Sequence, residues 1–142
     1  MNYVLDTNVV SEALKRAPDP ICAAWLEEHI EQCLVTTITL AELHYGIERL
    51  PEGKRKREFR RKLEFLWEDF GERILDFDSA AAAEFGRYVT EFESAKGLAA
   101  VENGDVRDFQ IAAIARTHGY TIVSRNLRHS AAVRCVNPFL PQ

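Results

Sequence analysis

Three acidic residues stand where an enzyme of the α/β class places its chemistry. Asp6 directly follows the short apolar run Tyr3-Val4-Leu5, and Glu42 and Asp108 lie near the starts of two later predicted helices. Ligands of α/β proteins bind in the crevice outside the carboxyl ends of the strands, so an acid that follows a buried strand faces that crevice. The pattern predicts that three carboxylates from distant parts of the chain converge on one divalent cation.

Two of these acids also have a purely structural interpretation. Thr39 and Glu42 have the spacing of a capping box, in which the glutamate side chain returns to the threonine backbone. Asp105 and Asp108 have the spacing of an N-cap and a first-turn acid, which the helix dipole favours. Taken singly, each pair is therefore explained by helix capping.

Asp6 is harder to explain by structure alone. An ionised carboxylate at the end of a buried strand needs a cation or several hydrogen-bond donors. Thr7 and Asn8 can supply donors through an Asx-type turn, which is the structural alternative for this string.

Apolar periodicity and chain-breaking residues predict alternating strands and helices. Strands are predicted at residues 2–5, 33–37, 73–77 and 120–124, with a last short one near 134–136. Helices are predicted at residues 9–14, from Asp19-Pro20 onward, and at 39–50, 54–70, 78–97 and 105–118. Strands separated by helices imply a mostly parallel sheet of four to five strands with helices on both faces. We expect one α/β domain over residues 1–142.

Composition excludes several classes of protein. The chain has 142 residues, of which 46% are hydrophobic and 28% charged, as expected for a folded globular domain. No apolar run approaches the roughly 18 residues of a membrane span, so we expect a cytoplasmic protein without membrane contact. Three widely spaced cysteines, Cys22, Cys33 and Cys135, favour buried reduced thiols over a disulfide framework or a thiolate zinc site.

Basic residues are concentrated in one segment. Seven of the 18 lysines and arginines lie between Lys54 and Lys62, although the whole chain has a net charge of −4. This basic segment, residues 54–62, is predicted to be helical, and its basic residues line the solvent face. It can bind an RNA backbone, bind an acidic partner segment, or simply be a solvated helix face. The candidate contacts to RNA or partner are Arg55, Arg57, Arg60 and Arg61.

A set of short motifs follows in a fixed order along the chain. The set is Leu5-Asp6-Thr7-Asn8, Ile38-Thr39-Leu40-Ala41-Glu42-Leu43, Asp108-x-x-Ile111-Ala112-Ala113, Val123-Ser124-Arg125-Asn126 and Val136-Asn137-Pro138-Phe139. In this order and spacing the set resembles the PIN-domain ribonucleases, in particular the VapC-type toxins of bacterial toxin–antitoxin pairs. The resemblance spans residues 3 to 139 and implies a PIN-like, three-layer α/β/α domain.

The resemblance also implies an activity. It makes the chain a metal-dependent endoribonuclease that uses Mg²⁺ or Mn²⁺, with Asp6, Glu42 and Asp108 as catalytic residues and metal ligands. Glu42 would bind the metal directly or through water. A metal-activated water would attack the phosphodiester and leave a 5′-phosphate and a 3′-hydroxyl. The residues expected to support the site are Thr7, Asn8 and Ser124.

The chain departs from the family pattern after the fourth strand. Many relatives have an acid there, whereas this chain has Asn126, which offers an amide oxygen but no charge. The number of metals, one or two, therefore stays open, with Asn126 and Asp105 as additional candidate ligands. His129, a few residues later, is interpreted as a surface residue rather than a ligand.

The resemblance further implies partners. They are an RNA substrate, a cognate antitoxin protein, and a second copy in a homodimer or a higher toxin–antitoxin assembly, with DNA reached only through the antitoxin. Asn126 motivates one alternative, a catalytically weakened PIN-like module that binds RNA or antitoxin without cleaving RNA. A second alternative is a phosphatase with an aspartate nucleophile, although that class requires an acid at the position of Asn8.

Overall fold

A parallel β-sheet forms the centre of the protein. The computed structural model describes residues 1–126 and 133–142, so the predicted surface residue His129 lies outside the described residues. Five strands are present in this part: β1 Tyr3–Leu5, β2 Cys33–Thr36, β3 Ile74–Leu75, β4 Thr121–Val123 and β5 Cys135–Val136. Their order is β3-β2-β1-β4-β5, and every pairing is parallel. The predicted parallel α/β architecture is confirmed.

Helices connect the strands. They are α1 Thr7–Ala13, α2 Pro20–His29, α3 Thr37–Glu48, α4 Lys54–Phe70, α5 Ser79–Lys96, α6 Leu98–Glu102 and α7 Val106–His118. Asp19 and Asp78 accept backbone hydrogen bonds as the N-caps of α2 and α5. Gly119 ends α7 in the left-handed conformation, with φ of 70°, which glycine adopts without strain. The sequence pattern does not predict α6, because Gly97 marks the end of α5. In the structure Gly97 also precedes this new short helix.

The helix α3 begins two residues earlier than predicted. Thr36 is its N-cap, and the Thr36 Oγ1 accepts a hydrogen bond from the Thr39 backbone N–H at 3.1 Å. Thr39 therefore lies inside the first turns of the helix and does not cap it. The capping-box interpretation of Thr39 and Glu42 is wrong, which leaves the Glu42 carboxylate available for another role.

Apolar side chains cover both faces of the sheet. Leu5 and Val123 pack in one cluster with residues of α1, α2 and the end of α4. Their strand neighbours Val4 and Ile122 point the opposite way and pack in a second cluster with residues of α5 and α7. Side chains alternate across each strand, so the sheet is enclosed from both sides in an α/β/α sandwich.

Two expectations from composition can be compared with the structure. Among the described residues, no helix is both long enough and apolar enough to cross a membrane. Cys22 and Cys33 are buried, Cys135 is half-buried, and all three are free thiols. Burial raises the pKa of both Cys33 and Cys135 to about 11, so these thiols are protonated at neutral pH. The predicted burial is therefore found for Cys22 and Cys33 and only in part for Cys135.

A buried glutamate fixes the connection between α1 and α2. Glu12 is only 6% exposed. Its carboxylate accepts hydrogen bonds from Lys15 Nζ at 2.9 Å, the Asp19 backbone N–H at 3.0 Å and Arg125 Nη2 at 3.4 Å. The hydrogen bond from Lys15 is the largest cause that lowers the pKa of Glu12 from its ordinary value of 4.5.

We expect Glu12→Gln to destabilise the protein in a pH-dependent way. A carboxylate with a lowered pKa in the folded state contributes stability that is present above its unfolded pKa and is lost as pH falls through the folded pKa. The variant should therefore melt below the parent at pH 7, and the difference should shrink as pH falls below 4.5. Thermal melts between pH 3 and pH 8 measure this. An equal difference at pH 3 and pH 7 would show that the ionised Glu12 is not the cause.

Candidate active site at the carboxyl edge of the sheet

The strand order locates a crevice beside Asp6. On one side of β1 the sheet continues with β2 and then β3, and on the other side with β4 and then β5. The order in which the strands are added therefore reverses between β1 and β4. Ligands of α/β folds bind at this switch, outside the carboxyl ends of the strands. Asp6 follows β1 and Ser124 follows β4, and the Asp6 backbone N–H donates to the Val123 carbonyl at 2.9 Å. Both side chains therefore stand at the switch point.

Several donors hold the Asp6 carboxylate. Its Oδ1 accepts from the Thr7 backbone N–H at 2.8 Å, which makes Asp6 the N-cap of α1. Its Oδ2 accepts from Ser124 Oγ at 2.7 Å and from Asn8 Nδ2 at 3.3 Å. Thr7 and Asn8 supply donors to Asp6 as predicted, but the backbone bond comes from the next residue and not from the residue two positions on, so the predicted Asx-type turn is replaced by an N-cap at the ligand-binding edge. Because Asn8 occupies the position where an aspartate-nucleophile phosphatase requires a second acid, the geometry gives that alternative no support.

Glu42 reaches the same edge from α3. The Thr7 hydroxyl donates to Glu42 Oε1 at 3.0 Å and lies 3.0 Å from the Thr39 hydroxyl. Thr7 is thus a single-residue link between the strand end that carries Asp6 and the helix that carries Glu42. Burial raises the pKa of Glu42, and the nearby charges of Asp105 and Asp6 raise it further, whereas Thr7 and Arg107 lower it.

The start of α7 contributes two acids and one arginine. Asp105 is the N-cap, because its Oδ1 accepts from the Arg107 backbone N–H at 2.9 Å. The Arg107 side chain bonds both oxygens of Asp105, and its Nη1 lies 3.7 Å from Glu42 Oε2. Asp108 lies in the first turn of α7 and lines, with Asp105, a cavity of about 380 Å³ beside the site. The hydrogen bond to Asp105 is the largest cause that raises the pKa of Arg107, the charge of Glu42 raises it further, and the charge of Asp108 adds a smaller effect.

These interactions decide which predicted residues come together. Asp6, Thr7, Asn8, Glu42 and Ser124 form one hydrogen-bonded group across the ends of β1, β4 and the start of α3. Asp105 reaches this group through Arg107, a residue that no sequence motif singled out. Within residues 1–126 and 133–142, no three His, Cys, Asp or Glu side chains form a ready-made metal-binding cluster.

A family model matches almost the whole chain, including the candidate site. The PIN domain model matches residues 3–134, which include every acid of the carboxyl edge. The chain belongs to the PIN domain family. The proposed resemblance is therefore confirmed at the level of the family.

Similar proteins extend this assignment over nearly the full length. The chain is 32% identical over 142 residues to the VapC ribonuclease Y4jK of Sinorhizobium fredii, covering 97% of this chain and 98% of that protein. It is 35% identical over 141 residues to the toxin FitB of Neisseria gonorrhoeae, covering 96% and 97%. A solved structure of FitAB bound to an IR36 DNA fragment contains a chain that superposes with a TM-score of 0.87 at 30% identity, covering 99% and 97%.

In this PIN domain Ser124 follows β4 and makes hydrogen bonds that hold the next residues in place. The Ser124 side chain is buried, and its hydroxyl donates to Asp6 while it accepts from Asn8 Nδ2 at 3.1 Å and from the Asn126 backbone N–H at 3.0 Å. Asn8 Oδ1 in turn accepts from the Arg125 backbone N–H at 3.2 Å. The loop after β4 is thereby tied to the Asp6 turn, and Asn126 is held next to it as a neutral residue.

The basic segment of this PIN domain lies on α4. Arg55, Arg57, Arg60 and Arg61 are all exposed, as predicted for the solvent face of the helix. Arg55 lines a groove of about 480 Å³ with two basic residues of the loop after α1, namely Lys15 and Arg16. Arg60 pairs with Glu48 of α3 at 3.1 Å. Lys56, in contrast, is buried and bonds Glu52 at 2.7 Å, so it is unavailable to a ligand.

Proposed function

We propose that this protein is a metal-dependent endoribonuclease that acts as the toxin of a toxin–antitoxin pair. The observation that carries the proposal is the link from Asp6 through Thr7 to Glu42 at the switch point of a PIN domain. Support also comes from a relative of similar length that is named a VapC ribonuclease. We propose Asp6, Glu42 and Asp108 as the catalytic residues.

The donor set fits a hard divalent cation. Carboxylate and amide oxygens are the ligands that Mg²⁺ and Mn²⁺ prefer, and the site offers no thiolate or imidazole among the residues just described. We propose that Asp6, Glu42 and Asp108 hold Mg²⁺ or Mn²⁺, with Asn126 as a neutral oxygen ligand. When bound, the cation would lower the pKa of a water molecule and stabilise charge on the phosphate.

The chain's own residues prepare this site in distinct ways. Ser124 and Asn8 fix Asp6 Oδ2, so the carboxylate keeps one orientation at the end of a rigid strand. Thr7 fixes Glu42 Oε1 in the same way. The burial that raises the pKa of Glu42 reflects removal from water, which strengthens its interaction with any bound cation.

The proposal includes a protein partner and a compartment. The structure of FitAB on DNA, together with the toxin FitB, supports a cognate antitoxin that binds this chain and DNA in turn. We propose that the protein acts in the cytoplasm, as a homodimer or within a higher toxin–antitoxin assembly.

Incubation of the purified protein with RNA tests the function. With Mg²⁺ or Mn²⁺ we expect internal cleavage of single-stranded RNA, its loss with EDTA, and its recovery when metal is restored in excess. Cleavage that EDTA leaves unchanged would contradict the metal dependence. RNA or antitoxin binding without cleavage under any divalent metal would favour the alternative of a non-catalytic binding module.

The basic segment is proposed to bind RNA phosphates outside the acidic edge. If Arg55, Arg57, Arg60 and Arg61 each neutralise one phosphate, removal of each charge should reduce the slope of log affinity against log salt by roughly 0.7 for single-stranded RNA. We expect replacement of all four by glutamine to flatten this slope in binding titrations at several salt concentrations. An unchanged slope would show that these arginines do not bind RNA phosphates, and that the segment is a solvated helix face or binds a partner.

A further inference from the structure

One arginine bridges the acidic edge and the start of α7. Arg107 Nε and Nη2 donate to the two oxygens of Asp105 at 3.0 and 2.8 Å. Its Nη1 faces Glu42 Oε2 at 3.7 Å, which is beyond hydrogen-bond length. The Arg107 side chain is 48% exposed. One edge of the guanidinium is therefore clamped, and the other edge faces the acidic site and solvent.

Asp105 fixes the orientation of the Arg107 side chain. The same Oδ1 that bonds Arg107 Nε also accepts from the Arg107 backbone N–H at 2.9 Å, so the carboxylate is fixed by the N-cap geometry. A two-bond interaction between a carboxylate and a guanidinium also sets the plane of the guanidinium. Arg107 is thus held in one orientation, unlike a long side chain that moves freely in solvent.

A polyanion needs a cation at this edge. One divalent cation would offset two of the three negative charges of Asp6, Glu42 and Asp108, so the edge would still repel an RNA backbone. The basic segment lies on a different helix, α4. A guanidinium matches the oxygens of a phosphate in the same bidentate manner in which it matches a carboxylate. Because the Nη1 edge of Arg107 faces Glu42, a phosphate bound there would lie beside the acidic site.

We propose that Arg107 binds a backbone phosphate of the RNA next to the bond that is cleaved, and that Asp105 is the positioning residue that orients it. This inference rests on the proposed nuclease function and deepens it by naming a residue that binds the substrate. It also assigns Asp105 to Arg107 rather than to the metal.

Binding measurements in a cleavage-silent background test the proposal. With Asp6→Asn as the parent, which leaves the hydrogen bonds of Arg107 intact, fluorescence anisotropy with a single-stranded oligoribonucleotide in Mg²⁺ is measured at several salt concentrations. Arg107→Gln should weaken binding about tenfold, because it removes a charged hydrogen bond, and should reduce the salt slope by roughly 0.7. Arg107→Lys should retain the salt slope and bind more weakly, because lysine keeps the charge but cannot form the fork.

Two further variants separate the effect of the orientation of Arg107 from the effect of its positive charge. Asp105→Asn keeps an N-cap side chain but cannot accept both guanidinium bonds, so it should weaken RNA binding less than Arg107→Gln while leaving the salt slope near that of the parent. Arg87→Gln is the matched control, since Arg87 is an exposed arginine on α5 that pairs with Glu84 at 2.8 Å. It should bind RNA as the parent does. In the active chain, Arg107→Gln should raise KM more than it lowers kcat.

The outcomes distinguish this proposal from the function on which it rests. If Arg107→Gln binds RNA with the affinity and salt slope of the parent, Arg107 is only a counter-ion of Glu42 and Asp105, and the proposal is wrong. If the wild-type chain binds RNA through Arg107 but cleaves none, the nuclease function fails and the phosphate-binding role of Arg107 stands. If the wild-type chain neither binds nor cleaves RNA in Mg²⁺, both fail.

Discussion

Asp6→Asn should reduce RNA cleavage about a thousandfold, because the loss of a metal-binding carboxylate removes several kcal/mol of transition-state stabilisation. Asparagine is nearly as good an N-cap as aspartate, so α1 should keep its start and the fold should persist. The rate is measured with purified variants on one RNA, and far-UV circular dichroism checks the fold. Growth inhibition on induced expression should disappear together with cleavage.

The control for this variant is another N-cap aspartate. Asp78 caps α5 through a 2.9 Å bond from the Ala81 backbone N–H and shows no described contact with the acidic edge. Asp78→Asn makes the same chemical change and should cleave RNA at the wild-type rate. Cleavage by Asp6→Asn at more than a small fraction of that rate would remove Asp6 from the catalytic residues.

The second large effect is on thermal stability, which we expect Mn²⁺ to change differently in Asp108→Asn and in Asp105→Asn. If Asp108 is a ligand, the metal-free protein holds like charges together, and Asp108→Asn should melt at the same temperature as wild type or higher. Mn²⁺ at about 100 times its Kd should stabilise wild type by roughly 2.7 kcal/mol. For a chain of this size that corresponds to roughly 5 to 10 °C, and the shift for Asp108→Asn should be much smaller.

Asp105→Asn is the matched comparison for Asp108→Asn. Its carboxylate already serves as N-cap and as the partner of Arg107, and that pair is 37% to 48% exposed, so its removal should cost little stability. Its melting temperature and its Mn²⁺ shift should both stay close to wild type. If Asp105→Asn instead abolishes the shift and Asp108→Asn keeps it, the third ligand is Asp105.

Sequence patterns could predict the parallel α/β layers because each signal was local and strong. The apolar run before Asp6, the proline after Asp19 and the glycine at position 119 each mark an element boundary through backbone geometry alone. The position of Asp6 at the ligand-binding edge follows from the same reasoning, since it depends only on the end of β1.

Other features depend on interactions between distant residues, which no local pattern contains. The residue that caps α3 is Thr36, and a sequence with threonines at positions 36, 37 and 39 offers several equivalent choices. The roles of Glu42 and Arg107 depend on Thr7, which is 35 residues from Glu42, and on the approach of α7 to α3. One available signal for Arg107 was its place between two acids at the start of a helix, where it can reach back to the N-cap.

The chemistry of the RNA ends tests the central claim most directly. One defined oligoribonucleotide, and the same oligonucleotide with a single 2′-deoxy substitution on the 5′ side of the cleaved bond, are incubated with the protein and Mg²⁺. Attack by water held at the acidic edge does not use the 2′-hydroxyl, so both should be cut and leave a 5′-phosphate and a 3′-hydroxyl. A 5′-hydroxyl with a 2′,3′-cyclic phosphate, and no cleavage of the deoxy-substituted strand, would contradict the account.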